Sequence, residues 1–338
     1  MIILMAREAD ESQVDAVVAR IRAAGLSEHV SRGSERILIG AIGDERKIAP
    51  ELFDLLPGVE RAMRVLKEYR MVALEARPGE AGVRIRDVVF GSRAVPLIAG
   101  PGAVEDAGQI AAIARHARGC GCRLLHGGAF APNASPYRFQ GLGAAGLELT
   151  RDAAQAAGLP AIAELSDSRH LDSFLELDID AFDIGAAALG NLELLREVGR
   201  LNKPVILRRQ PSASLGEWLM AAERIAAGGN HRIIFCEGGV RSAADGSRLT
   251  LDLGAIGELK QESYLPVIVD AGRAAARASQ QAALACAAVA AGADGLLLRT
   301  HPHPNDALTD AESALAPDAL AALVPQLRQL AGAIGREL

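Results

Sequence analysis

Ionisable side chains follow most of the short apolar segments found beyond about residue 93. His126 follows CRLL, Glu164 lies in PAIAEL, and His301 comes just after GLLLRT. Imidazole and carboxylate groups can transfer protons in general acid–base catalysis, so we predict these three as candidate catalytic residues. Further charged residues end or follow neighbouring segments: Asp183, Arg208, Arg209, Glu237, Arg241, Asp270 and Arg299. Because arginine binds carboxylates well, the set predicts a pocket for a small carboxylated or anionic ligand.

The apolar segments that carry these residues predict a parallel barrel. Eight of them alternate with amphipathic helical stretches: PLIAG, CRLL, PAIAEL, AFDIG, PVILRR, RIIFCE, PVIVD and DGLLL. Near-continuous apolar strands between helices are typical of a parallel sheet closed into a (β/α)8 barrel. Functional residues of such barrels lie at the C-terminal ends of the strands. We therefore predict an α/β fold with a (β/α)8 TIM barrel over residues 93–338.

The first 70 residues have a different pattern. Apolar and helical stretches follow one another in the order strand, helix, strand, strand, helix, strand, beginning with IILM and VDAVVARIRAAG. This order is typical of a small ferredoxin-like α+β domain, which we predict over residues 1–70. A connecting β-hairpin is predicted over residues 71–92, with strands at 71–76 and 83–89 on either side of Pro78-Gly79.

The overall composition limits the partners of the chain. Its 338 residues are 50% hydrophobic and carry a net charge of −6, which argues against nucleic-acid and membrane-surface partners. No apolar run reaches the roughly 18 residues of a membrane helix, so we predict a cytoplasmic location. The four cysteines lack the paired C-x-x-C spacing of a zinc site, and we predict no disulfide: Cys120, Cys122, Cys236 and Cys286.

The stretch Leu124–Gly143, LLHGGAFAPNASPYRFQGLG, has a distinctive frame of glycines and prolines. It resembles a signature of the 3-deoxy-7-phosphoheptulonate (DAHP) synthase family, approximately R-G-G-A-[FY]-K-P-R-T-S-P-Y-x-F-Q-G-L-G. The blocks NKPVIL, LPVIVD, GADGLL and ALTD resemble the family in the same order. The family condenses phosphoenolpyruvate with erythrose 4-phosphate at the entry to the shikimate pathway. In the subgroup with a ferredoxin-like domain, that domain binds aromatic amino acids.

The resemblance also implies a divalent metal held by Cys, His, Glu and Asp, and here the sequence departs from the family. Gly102 stands at the Cys position, Arg273 at the His position and Arg299 at the Glu position, so only Asp310 remains. Arginine is cationic and has no acceptor to offer a metal, so we predict no metal and no other cofactor. One of the two arginines is expected to pair with a carboxylate instead: Asp310, Glu105 or Asp270.

The cations that bind phosphoenolpyruvate in the family are also depleted. Ala131, Ala187 and Gly238 stand at three of these positions, and only Arg208 and His126 remain as donors. We predict that the ligand of this chain is bound by residues around the barrel mouth: Asn133, Ser135, Arg208, Arg241, Arg273, Arg299, Asp270 and Asp310. The sequence leaves open whether the two new arginines bind a substrate or form a structural salt bridge.

These departures lead to two alternative hypotheses about function. The first is a repurposed, metal-independent lyase or transferase that acts on a small carboxylated or anionic metabolite in a shikimate-related or specialised pathway. The second is a non-catalytic paralogue, a regulatory subunit that binds an aromatic amino acid or a shikimate-pathway enzyme. DAHP synthase activity itself is not expected. By resemblance to the family, we predict a homo-oligomer, specifically a tetramer.

Overall fold

Two main sheets organise the chain, a small antiparallel sheet and a closed parallel barrel. The computed structural model describes residues 1–33, 36–43, 48–63, 68–76, 82–131, 135–242 and 249–338. The predicted class, an α/β TIM barrel preceded by a ferredoxin-like domain, is confirmed. Within the described ranges, no helix combines the length and hydropathy needed to cross a membrane.

The antiparallel sheet has the strand order β2-β3-β1-β4. Its elements are β1 (Ile2–Met5), α1 (Glu11–Ala23), β2 (Ser27–Arg32), β3 (Ile37–Ile42), α2 (Glu51–Asp54) and β4 (Val59–Met63). Asp10 caps the N-terminus of α1: its carboxylate accepts a hydrogen bond from the Gln13 backbone, while the Gln13 side chain accepts one from the Asp10 backbone. Alternate residues of β1, Ile3 and Met5, bury their side chains against the apolar face of α1.

The connecting hairpin lies within the predicted range 71–92, but its strands are not the predicted 71–76 and 83–89. Residues 74–76 form a short 3₁₀ helix, and the hairpin pairs β5 (Val83–Ile85) with β6 (Val88–Phe90). The backbone N–H groups of Met71 and Val72 donate to Glu223 of the barrel, and Ala73 forms an isolated antiparallel bridge with Ser263 rather than part of a hairpin. Pro78-Gly79 lies outside the described residues. The hairpin packs against the barrel interior, and the domain boundaries at 70 and 92 stay predictions.

The barrel closes in the order β7 to β12, then β15 and β16, which pairs with β7. Its strands are β7 (Leu97–Gly100), β8 (Leu124–Gly127), β9 (Ala161–Leu165), β10 (Ala181–Ile184), β11 (Val205–Arg208), β12 (Ile233–Glu237), β15 (Val267–Asp270) and β16 (Leu296–Arg299). The small pair β13 (Val240–Arg241) and β14 (Leu249–Thr250) follows β12.

Helices cover the outside of the barrel between successive strands. They are α3 (Ala107–Gly119), α4 (Ala144–Ala157), α5 (Leu171–Glu176), α6 (Leu192–Gly199), α7 (Leu215–Ala227), α8 (Leu253–Glu262), α9 (Ala271–Ala274), α10 (Ala278–Ala290) and α11 (Pro317–Ala333). Further 3₁₀ turns lie at Ser168–His170, Ala186–Ala188 and Pro304–Asp306. Typical of this packing, α7 buries Trp218, whose indole N–H donates to the Leu207 carbonyl of β11.

Two layers of side chains fill the barrel. The lower layer is apolar and takes one residue from each strand: Ile98, Leu124, Ile162, Ala181, Ile206, Ile234, Ile268 and Leu297. Because side chains alternate along a strand, the residue two positions later points the same way. These later residues, which we call the mouth ring, are Gly100, His126, Glu164, Asp183, Arg208, Cys236, Asp270 and Arg299. The fold thus gathers ionisable groups at the C-terminal end of the barrel, where functional sites of this fold lie.

Candidate active site

His126 and Asp183 form a buried pair in the mouth ring. The His126 Nε2 atom lies 2.7 Å from Asp183 Oδ2, and both side chains are fully buried. Burial lowers the pKa of His126 and outweighs the opposite effect of Asp183. The neutral imidazole therefore donates from Nε2, since a carboxylate only accepts. Its Nδ1 lone pair has no hydrogen-bond partner among the described residues, which leaves a proton acceptor at the barrel mouth.

Arg208 joins two carboxylates across the mouth ring. Its Nε and Nη2 atoms donate to Asp183 at 2.8 Å and 2.6 Å, and its Nη1 donates to Asp270 at 2.5 Å. Burial opposes the charge of Arg208, but the two carboxylates raise its pKa well above the usual value. Burial likewise opposes ionisation of Asp183, yet Arg208 and His126 hold the pKa of that carboxyl well below its usual range. Arg208 and Asp183 are therefore both ionised.

Arg299 extends this network to the other side of the ring. Its Nη2 donates to Asp270 at 2.8 Å and its Nη1 donates to the Pro101 carbonyl at 3.0 Å. The backbone of Arg299 is held by Gln281, whose amide exchanges two hydrogen bonds with it. Although burial opposes its ionisation, the pKa of Asp270 is held far below its ordinary value by Arg299 and Arg208. The alternative in which Arg299 pairs with Asp270 is the one the structure contains.

Two other predicted arginines lie on the exposed side of the mouth. Arg241 is exposed in β13, and its backbone N–H donates to the Pro211 carbonyl. Arg273 is exposed in α9, and its side-chain stem lies over Gly238. A Cβ atom on Gly238 would stand 2.8 Å from the Arg273 Cδ atom. An arginine stem thus covers the position at which the family has an arginine, which keeps a cation in this part of the mouth.

A second charged cluster lies beside the ring. Arg209 donates from Nη1 to Glu237 at 3.1 Å and to Asp252 at 2.9 Å. Burial raises the pKa of Glu237. Arg209 also lies over the Trp218 ring, with its Cζ atom 5.8 Å from the ring centroid. These partners hold Arg209 in place beside the ring.

The remaining predicted residues are less closely connected to the ring. Glu164 belongs to it and accepts a hydrogen bond from Ser166 at 3.0 Å. His301 is buried outside it, with Nδ1 accepting from the His303 backbone and Nε2 3.4 Å from Glu105. Ser135 lies in the loop after β8, and Asp310 lies in the turn after β16. Asn133 lies outside the described residues.

Two residues of the network were not among the predicted catalytic or ligand-binding residues. Asp183 was recognised from the sequence only as a charged strand end, and the structure makes it the partner of both His126 and Arg208. Gln281 lies in α10, far along the sequence from the strand end that it holds. No sequence pattern connects these two elements, so only the fold could have identified that residue.

Comparison with known families decides the relationship of this chain. The DAHP synthetase I family matches residues 74–335, and the DAHP synthase ferredoxin-like domain family matches residues 1–67. The chain belongs to the DAHP synthetase I family. The resemblance inferred from the sequence motifs, including the subgroup with the N-terminal domain, is therefore confirmed.

Individual relatives agree with this membership. The phospho-2-dehydro-3-deoxyheptonate aldolase of Thermotoga maritima is 37% identical over 335 residues, which is 99% of each chain. The crystal structure of the T. maritima DAHP synthase has a TM-score of 0.78 and 36% identity, covering 99% of this chain and 98% of that one. A 2-dehydro-3-deoxyphosphooctonate aldolase of Syntrophotalea carbinolica is 30% identical, covering 69% of this chain and 90% of that protein.

The predicted change of function is wrong. Identity of 37% along the full length of a DAHP synthase family member supports the activity of the family, and not a repurposed lyase or transferase. The same full-length match also counts against the alternative of a non-catalytic paralogue. The prediction failed because it inferred a new function from single missing side chains, whereas the match to a family member extends over both domains.

The metal implied by the family does not fit the side chains of this DAHP synthetase family member. At the family's four ligand positions stand Gly102, Arg273, Arg299 and Asp310, which provide one carboxylate. Among the described residues, no group of three or more His, Cys, Asp or Glu side chains could hold a metal ion. Arg299 places a positive guanidinium on this side of the ring, which repels a cation.

Proposed function

We propose that this protein condenses phosphoenolpyruvate with erythrose 4-phosphate to form DAHP and inorganic phosphate. The observation that carries the proposal is the 37% identity to the T. maritima phospho-2-dehydro-3-deoxyheptonate aldolase over 99% of both chains. The reaction joins a three-carbon enolpyruvate to a four-carbon aldehyde, consumes one water and releases phosphate. It places the protein in the biosynthesis of aromatic compounds.

The mouth ring supplies fixed positive charge for this reaction. Arg208 and Arg299 are both buried and both held by Asp270, so their guanidinium groups need not reorganise when a substrate binds. Fixed cations in a dry site stabilise negative charge that develops on a carbonyl or carboxylate oxygen. We assign the phosphoenolpyruvate carboxylate to Arg208, which has guanidinium N–H groups beyond those that bind Asp183 and Asp270.

His126 is our candidate for proton transfer. Its Nε2–H is fixed on Asp183, and this hydrogen bond selects the tautomer with a free Nδ1 lone pair. That lone pair can accept the proton released by the water consumed in the reaction. Glu164 and His301 stay predicted as further acid–base groups, with Glu164 the better placed because it belongs to the ring.

Two phosphate groups need cations outside the ring, because the two buried arginines are already matched by two carboxylates. The exposed Arg241 and Arg273 fit this role by their position at the mouth. Asn133 and Ser135 in the loop after β8 stay predicted as contacts to the sugar phosphate. A cytoplasmic location and a tetrameric assembly likewise stay predictions.

A direct assay tests this function. The purified full-length protein is incubated with phosphoenolpyruvate and erythrose 4-phosphate, with and without added manganese, and phosphate release and product mass are measured. A second arm replaces erythrose 4-phosphate with a five-carbon aldose phosphate, because the 2-dehydro-3-deoxyphosphooctonate aldolases among the relatives are named for an eight-carbon compound. We expect phosphate release that requires erythrose 4-phosphate. Lack of product with either sugar phosphate, with and without metal, would refute the proposal.

Variants of Arg208 give the assay a structural control. Arg208→Gln should lower kcat/KM by about 10²-fold or more, since it removes a fixed charge from the reacting centre. Arg208→Lys keeps the positive charge, so it should retain more activity. Arg115→Gln changes an exposed arginine of α3 and should match the parent protein.

A further inference from the structure

Positions that hold metal ligands in the family converge on one small volume beside the mouth ring. A Cβ atom on Gly102 would stand 2.4 Å from Oδ2 of Asp310. The carbonyl of Pro101, the residue before Gly102, accepts a hydrogen bond from Arg299 at 3.0 Å. The charge of Asp310 also stabilises the guanidinium of Arg299. Positions 102, 299 and 310 therefore border the same space.

The Arg299 guanidinium is built into this space. Asp270 and the Pro101 carbonyl hold its two terminal nitrogens, and Gln281 fixes its backbone on both sides. The residue is only 5% exposed. Its buried Nε–H has no hydrogen-bond partner in the described part of the chain. A buried, unpartnered donor in a barrel mouth is a place for an oxygen atom of a ligand.

A neighbouring glycine makes room for this side chain. A Cβ atom on Gly272 would stand 2.2 Å from the Arg299 Cγ atom and 2.7 Å from its Cβ atom. Any side chain at position 272 would clash with Arg299 in its present conformation, because real Cβ atoms essentially never make contacts below 3.0 Å. The local sequence Ala271-Gly272-Arg273 is thus compatible with an arginine at position 299.

A guanidinium and a divalent metal cannot share this volume. Transition metals need several carboxylate, imidazole or thiolate ligands, and Asp310 is the one such group left at the family's four ligand positions. Arg299 adds a positive charge and no lone pair. It does, however, offer what a metal offers to a carbonyl oxygen, namely fixed positive charge, together with a directed N–H donor.

We propose that the Arg299 guanidinium is the resident cation of this centre, occupying the place where the family holds a divalent metal. The role that follows rests on the proposed function: the Nε–H of Arg299 binds the aldehyde oxygen of the sugar phosphate. As the new C–C bond forms, the carbonyl electron pair moves onto that oxygen; water adds to C2 of the enolpyruvate, phosphate leaves, and the proton that the water releases converts the aldehyde oxygen into a hydroxyl group. Arg299 stays protonated throughout and stabilises the transient negative charge.

Metal content tests the occupant of the centre without any activity measurement. The full-length protein is incubated with Mn²⁺ or Zn²⁺, freed of unbound metal by gel filtration, and analysed by inductively coupled plasma mass spectrometry. We expect far less than one ion per chain. One tightly bound ion per chain in the unaltered protein would overturn the inference.

A triple variant provides the converse measurement. Gly102→Cys, Arg273→His and Arg299→Glu together restore the family's ligand types beside Asp310, and this variant should retain about one ion per chain in the same experiment. A matched variant with Arg299→Gln in place of Arg299→Glu should retain less. Trp218 fluorescence checks that each variant is folded, and if the triple variant is not, the unaltered protein alone decides the question.

Activity separates this inference from the proposed function. Condensation by the unaltered protein should persist in a strong chelator, and Arg299→Gln should lower kcat more than it raises KM for phosphoenolpyruvate. Activity that a chelator abolishes and manganese restores would overturn the inference while leaving the proposed function intact. Absence of condensation under every condition would overturn the proposed function and the aldehyde-binding role of Arg299, and metal content would still identify the occupant.

Discussion

Asp270 is the residue on which the mouth ring most depends. Its Oδ2 atom accepts hydrogen bonds from Arg208 at 2.5 Å and from Arg299 at 2.8 Å, and its Oδ1 atom accepts one from the Arg273 backbone at 3.1 Å. Asp270→Asn keeps the shape of the side chain and removes its charge. Arg208 would then keep its ion pair with Asp183, whereas Arg299 would lose its ion pair with Asp270.

The expected cost follows from this loss of charge balance. In the native ring, two guanidinium charges are matched by two carboxylate charges, and His126 is neutral. Removing one partner from a buried ion pair destabilises a protein by about 3–5 kcal/mol, because the other charge stays buried. Since whole domains are stable by only about 5–15 kcal/mol, Asp270→Asn should remove a large part of the barrel's stability.

The single tryptophan of the chain makes the measurement specific to the barrel. Trp218 is fully buried in α7, so its fluorescence during urea denaturation reports on barrel unfolding. Asp270→Asn should lower the free energy of unfolding by about 3–5 kcal/mol. Asp178→Asn, which breaks an exposed pair with Lys203, should change it by no more than about 1 kcal/mol.

A double-mutant cycle gives the decisive check. Arg299→Met removes the one guanidinium charge that Asp270→Asn leaves unmatched, so the double variant should be less destabilised than the sum of the single variants. A coupling of about 1–3 kcal/mol is expected for residues in one buried network. Additive effects, or a loss below about 1 kcal/mol in Asp270→Asn, would show that the ring does not depend on its charge balance.

Three further predictions concern the same layer. Burial lowers the pKa of His126, so the unfolded chain binds a proton at this imidazole more readily than the folded chain does. The free energy of unfolding should therefore fall below about pH 6.5, by up to about 1.4 kcal/mol per pH unit. Urea denaturation across pH should show a smaller fall for His126→Asn. Burial raises the pKa of Cys236 to about 12, so iodoacetamide should leave this thiol unmodified in the native protein, and rapid labelling by mass spectrometry would contradict its placement. Gly272→Ala should destabilise the barrel because its Cβ would meet Arg299 at 2.2 Å, whereas Gly257→Ala, with no atom within 4 Å, should stabilise α8 by about 0.5–1 kcal/mol; equal denaturation midpoints would contradict this.

The barrel could be predicted from the sequence because its strands are short, apolar and regularly separated by helices. Strands of a parallel barrel are buried on both faces, by the barrel interior and by the outer helices, and therefore appear in the sequence as continuous apolar runs. Ile206 and Ile268 of the lower layer are examples of the residues buried inside. The hairpin was misplaced because Met71–Ala76 reads as a strand, while its backbone bonds to Glu223 of α7. A side chain 152 residues away cannot be inferred from local pattern.

The sequence predicted the charged residues of the mouth ring as strand ends, and of their pairings it offered only Arg299 with Asp270, as one of several alternatives. Each ring residue could be identified as a strand end, since strand ends of a parallel barrel meet at one face. That Arg208 takes both Asp183 and Asp270, while Arg299 shares Asp270, depends on how neighbouring strands are staggered around the closed barrel. Sequence spacing along one strand does not contain this information.

The charge balance of the ring also explains why missing side chains were a poor guide to function. Counted singly, His126 stands where the family has an arginine, Asp183 where it has a glutamine, and Arg299 where it has a glutamate. Taken together, they form one network in which His126 binds Asp183, and Asp183 and Asp270 share Arg208 and Arg299. Each buried charge is matched by a neighbour, as burial requires. The centre has therefore been rebuilt around a guanidinium as one unit, which is the expected outcome if the same anionic intermediates are still stabilised by other means.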